Sequence, residues 1–288
     1  MSPRERVLCS LNHEVPDRIP LHIKAEKEVW RDLREHLGLP DNRAVEDRLG
    51  IDVRSIAPDY VGSRPRVLHD GTFLDPFGFH RKIVHNEFGS YYEYASFPLI
   101  DAETPEDLDD FDWPDVDSWD VSTIPSQIES IKAETDYCIL YEAGSAFEMA
   151  WGLRGFERFL KDLVMRPDMA EALLTRWIDF WIELDRRVLE AADGDVGIVW
   201  TWDDVGTQNG PLISPKMWER QVKPHHVRLN EGLKEYDVRL MYHSCGGISR
   251  FIDGFIDMGI DILNPLQPRA TGMDLPQIKK DYGDRLSF

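Results

Sequence analysis

Short β-branched and apolar runs alternate with longer stretches of helical periodicity through most of this 288-residue chain, and that alternation constrains the fold more than any other feature. Strand, helix and strand in repeating order imply a parallel sheet with right-handed crossovers. Strands are predicted at 18–23, 52–57, 137–141, 196–201, 238–242 and 260–263, with a last one beginning at Arg285. Helices are predicted from Glu26 to Leu37, ended by Gly38 and Pro40, and in two or more pieces over 147–192, broken near Pro167. Further helices follow at 215–236 behind an N-cap at Ser214, at 247–258 and at 273–282. Seven strands are one short of the eight in a (β/α)8 barrel. The reading is an α/β TIM barrel lacking its last βα unit, as a single domain over 1–288. An unclosed barrel has two sheet edges, so cover by a second copy of the chain or by further residues is expected.

Two segments interrupt the alternation. Aromatic and β-branched residues with Gly71, Gly78 and Gly89 at the turns predict a β-hairpin insertion over 66–99. Residues 101–120 hold ten acidic side chains and two prolines, the composition of a solvated connector or short capped helix. That segment supplies half of the formal net charge of −20, so net charge does not describe the site.

The acidity argues against nucleic acid and against an anionic membrane as partners, because both need clustered Lys and Arg. No apolar run reaches the roughly 18 residues of a membrane span and no secretion signal is visible, which makes the cytoplasm the expected location. Three cysteines, Cys9, Cys138 and Cys245, are too few for a disulfide framework.

In barrels of this kind the chemistry sits at the C-terminal ends of the strands. The third predicted strand ends at Glu142, the fourth at Asp203 and Asp204, the fifth at His243-Ser-Cys245, and the sixth at Asn264-Pro-Leu-Gln267. Side chains two apart on an extended segment share a side, so His243 and Cys245 can face one metal ion. Zinc suits a nitrogen and sulfur pair, although an isolated HxC is common by chance. Only one of two adjacent aspartates can point inward; the other caps a loop. Glu142 is a further candidate for orienting a ligand or exchanging a proton. Asn264 and Gln267 are as readily loop caps, and Gly246-Gly247 reads as a tight turn.

Taken in order, Pro16-Asp-Arg-Ile-Pro20, Leu153-Arg-Gly-Phe156, Asp203-Asp-Val-Gly-Thr-Gln208 with Ser214-Pro215, His243-Ser-Cys-Gly246 and Asp261-Ile-Leu-Asn-Pro-Leu-Gln267 resemble the uroporphyrinogen decarboxylase superfamily. That group holds the haem-pathway decarboxylase and zinc-dependent, cobalamin-linked methyltransferases. The decarboxylase branch carries an arginine-rich motif after the first strand. Here that stretch is His22-Ile-Lys-Ala-Glu-Lys-Glu28, without the bidentate partners a carboxylated tetrapyrrole needs. The resemblance therefore implies a zinc-dependent methyltransferase moving a methyl group between a corrinoid (methylcobalamin) and a thiol or small methylated substrate. His243 and Cys245 would bind the metal, with Asp203, Asp204 and Glu142 catalytic and Gln208, Tyr242, Asn264 and Gln267 at the substrate. A corrinoid protein is an implied partner. The family's third zinc ligand is expected beyond residue 288, with neither Cys9 nor Cys138 placed to replace it. A uroporphyrinogen-type decarboxylase and a non-catalytic or truncated member remain as alternatives.

Overall fold

The computed structural model describes residues 1–87 and 89–288. Its centre is a parallel sheet of five strands in sequential order: β1 (Val53–Ile56), β2 (Cys138–Glu142), β3 (Val196–Trp202), β4 (Arg239–His243) and β5 (Ile262–Asn264). Helices connect each strand to the next, and the strands are apolar almost throughout because both faces are covered. Leu140, Ile198, Trp200, Met241 and Ile262 meet on the inner face, closed at one end by Val7 and Leu11 of the helix Pro3–Leu11. On the outer face Tyr141, Val199, Leu240, Tyr242 and Leu263 pack against the helices. This is the wall of a (β/α)8 barrel that does not close among the described residues.

Both ends of the wall depart from the expected strands. Residues 18–23 run beside β1 without a ladder: the Asp52 N–H donates to the Leu21 carbonyl at 2.8 Å, and the Leu21 N–H is taken by the Asp52 carboxylate at 2.7 Å. Pro20 has no N–H to continue the pairing. At the other end, Ser287 alone makes a parallel bridge to Ile262. Ile19–His22 and Ser287–Phe288 face each other across a cavity of about 190 Å³.

The expected helix over 215–236 is two, Pro215–Gln221 and Lys223–Leu233, because Pro224 cannot donate to the turn before it. The one expected over 247–258 is a single tight turn, Ser249–Phe251, followed by Ile252–Asp257. Pro3–Leu11, Asn42–Leu49 and Ile124–Lys132 are helices absent from the sequence reading.

A separate antiparallel sheet is formed by Arg66–Val67, Phe73–Leu74, His80–Asn86 and Gly89–Ser96. Its Phe77 and Phe79 enter an aromatic layer with Trp119, Trp177 and Trp181. The acidic segment after it straps the outer helices, with Glu103 paired to Arg158 and Arg166, Asp109 to Arg176 and Asp117 to Arg187. Among the described residues no helix is long and apolar enough to cross a membrane.

Candidate metal centre and active site

Parallel register brings the C-terminal ends of β3, β4 and β5 level, with Trp202 opposite His243 and His243 opposite Asn264. The pairing runs one step past the strands: the Asp203 N–H donates to the His243 carbonyl and the Ser244 N–H to the Asn264 carbonyl. Asp204 is thereby set beside the loop that follows β4, where its Oδ1 accepts from the Cys245 N–H at 2.6 Å. The two loops approach so closely that a Cβ on Gly246 would lie 2.7 Å from the Gly206 backbone, and Gly246 has φ +89°. Only glycine meets both demands.

The result is a three-donor cluster. One ligand atom each from Asp204, His243 and Cys245 lies within 4.8 Å of the other two, with Nε2 of His243 3.5 Å from Cys245 Sγ and 3.7 Å from Asp204 Oδ1. Asn264 fixes the imidazole: with its Oδ1 2.8 Å from Nδ1, the ring hydrogen belongs on Nδ1 and the Nε2 lone pair faces the thiol and the carboxylate. Burial, followed by the charges of Asp204 and Glu148, pushes the Cys245 thiol up to about 11, so it keeps its proton unless a cation sits beside it. Nitrogen, thiolate sulfur and carboxylate oxygen from three residues are the donor set of a zinc site with a fourth position open. The residues fit that metal.

A cavity of about 320 Å³ opens beside the cluster, lined by Lys24, Glu142, Glu148, Trp200, Trp202, Asp204 and His243. Both Glu142 oxygens lie 2.6 Å from Lys24 Nζ, which sits 4.1 Å above the Trp200 ring. Glu148 accepts the Asp204 N–H at 2.8 Å, and burial, with the Asp203 and Asp204 charges added, raises its carboxyl to about 8. Sequence reasoning missed Glu148 and Lys24. A glutamate in the first turn of a helix reads as a dipole-stabilising residue, and nothing local places Lys24 against β2.

Other predicted residues have different places. Asp203 is fully buried and accepts five hydrogen bonds: from Ser145 Oγ, from the N–H groups of Ala146, Phe147 and Glu148, and from His226 Nε2 at 2.6 Å. It anchors the start of the helix Phe147–Arg154 and does not reach the cavity. Of the aspartate pair, Asp204 is the one at the cluster. Tyr242 points to the outer face, fully buried against His226 and Phe255, because β4 alternates and its neighbour His243 takes the inner side. Gln208 Nε2 and the Gly246 N–H both donate to Gln267 Oε1, which ties the two loops together and leaves that oxygen committed. Asn264 serves His243 in place of a substrate. Cys138 begins β2 at the closed end of the barrel, fully buried and pushed up to about 12.

A family model described as uroporphyrinogen decarboxylase (URO-D) matches residues 86–278, more than half of the chain. Among solved structures, a methyltransferase from Methanosarcina mazei superposes with a TM-score of 0.67 over 99% of this chain and 81% of its own. The two sequences are 16% identical, and the likeness is one of fold. No curated protein matches this sequence.

Proposed function

The chain belongs to the uroporphyrinogen decarboxylase family, and within it we propose a zinc-dependent methyltransferase that moves a methyl group between a corrinoid and a thiol or small methylated substrate. The observation that carries this reading is the convergence of His243 Nε2, Cys245 Sγ and Asp204 Oδ1 at one strand-end cluster. His243, Cys245 and Asp204 would hold zinc there, and the bound ion would supply a Lewis acid able to keep a substrate thiol deprotonated at neutral pH.

The chain's own groups do the rest. Cys245 would bind the metal as its thiolate, releasing its proton to solvent, and Asn264 holds the imidazole in the tautomer that leaves Nε2 free. Trp200 and Trp202 wall the cavity with apolar surface beside the half-exposed Lys24–Glu142 pair. The lining disfavours the decarboxylase alternative: the Glu142 and Asp204 carboxylates face a single amine, Lys24, already held by Glu142. A substrate with several carboxylates would meet repulsion there. A small-molecule substrate and a corrinoid carrier as partner follow from this reading, as does the cytoplasm as its place of action.

The test is elemental analysis of protein purified without added metal or chelator, together with loss of methylcobalamin absorbance in the presence of a thiol. About one zinc per chain is expected, absent from Cys245→Ala and from Asp204→Ala, with methyl transfer lost in parallel. Full zinc content in both variants would overturn the assignment.

A further inference from the structure

Next to the metal-side cavity lies a second one, of about 300 Å³, and the two share Glu142 and Trp202 in their walls. Apart from Tyr141 its remaining lining is apolar and includes Phe77, Trp119, Met149, Trp181 and Leu184. These come from unrelated parts of the chain: Phe77 from the antiparallel insertion, Trp119 from the end of the acidic strap, Trp181 from the long helix Pro167–Ala191. The Phe77 ring stacks on Trp119 at 5.3 Å between centroids and lies 5.6 Å from Trp181. Trp181 reaches its place because Gly144 has no side chain; a Cβ there would fall 1.9 Å from the indole.

Charge decides what such a chamber can take. Among the described residues its ionisable lining groups are Glu142 and Tyr141. Both Glu142 oxygens are held by Lys24 at 2.6 Å, and the Tyr141 hydroxyl donates to Asp185 at 2.7 Å. A cationic ligand finds the one carboxylate, Glu142, already neutralised by Lys24, and an anionic one would face that carboxylate. A neutral planar ring meets neither obstacle and gains stacked and edge-on contacts with the three rings.

We infer that this chamber binds the neutral aromatic ring of the substrate, whose reacting substituent then extends past Glu142 and Trp202 to the metal side; the inference rests on the methyltransferase reading of that side.

The test is calorimetric titration of the zinc-loaded full chain with 2-methoxyphenol, and separately with choline as a quaternary ammonium probe. Ala57 lines the chamber at its exposed rim and is not in the wall of the metal-side cavity, so Ala57→Phe is the variant chosen to obstruct the chamber. The expected result is saturable 2-methoxyphenol binding, weaker choline binding, and at least a tenfold loss of 2-methoxyphenol affinity in Ala57→Phe at unchanged zinc content. Ring binding is also expected to survive in Cys245→Ala, so a failed metal site and a failed ring chamber give different results. No saturable binding of 2-methoxyphenol, equal binding in Ala57→Phe, or tighter binding of choline would each overturn the inference.

Discussion

Replacing Asn264 by leucine tests whether the imidazole of His243 is set up as a ligand. The substitution keeps the branched side-chain skeleton and removes the acceptor 2.8 Å from Nδ1. Without it the ring hydrogen can sit on either nitrogen and the ring can rotate, so the form with a free Nε2 lone pair is no longer selected. Groups that orient a metal-bound histidine typically account for about 10–100-fold in affinity, or about 1.4–2.8 kcal/mol. The His243 side chain is 26% exposed, so water can take over the Nδ1–H, and the lower end of that range is expected. Asn264→Asp keeps an acceptor and adds a negative charge, and should hold zinc at least as tightly as the parent. Zinc affinity is read by competition with a chromogenic chelator at neutral pH, with a thermal melt to show that each variant is folded. A leucine variant within about twofold of the parent, or an aspartate variant as weak as the leucine one, would refute the argument.

The neighbouring aspartates should separate cleanly. Asp203→Ala strands five donors, four of them buried, and should cost about 3–5 kcal/mol by urea denaturation, whereas Asp204→Ala removes one acceptor, of the Cys245 N–H, and should cost about 1 kcal/mol while abolishing zinc binding; equal destabilisation by both would show the roles to be misassigned. Gly144→Ala drives a methyl into the Trp181 indole and should destabilise by about 1–3 kcal/mol or more, with an unchanged denaturation midpoint counting against the packing described. Asp185 is fully buried, and burial raises its carboxyl to about 8 against the partial opposing effect of the Tyr141 hydroxyl. Its stabilising contribution is therefore complete below the ordinary aspartate value of about 4 and is lost as pH rises through 8. Asp185→Asn should flatten the decline in stability between those values, and a variant with the parent's slope would rule Asp185 out as its source.

Much of this site is legible in the residues themselves. Alternation of short apolar runs with helical ones implies parallel winding, because a strand can be followed by a parallel neighbour only through a crossover. The strand-end position of His243-Ser-Cys245 points to a metal, since the two donors lie within reach of one point. The same local logic says that one of Asp203 and Asp204 turns inward, but not which one. That choice belongs to the helix Phe147–Arg154, whose first N–H groups capture Asp203 from more than fifty positions away in sequence. Lys24, Glu148 and Asn264 acquire their roles in the same way, from segments brought together across the barrel, and Pro20 turns an expected strand into an edge segment without a ladder. Periodicity and residue type act within a few positions of the chain and so determine elements and candidate ligands. Which of those candidates share one cavity depends on sheet register and on packing between distant segments, and those are properties of the folded chain alone.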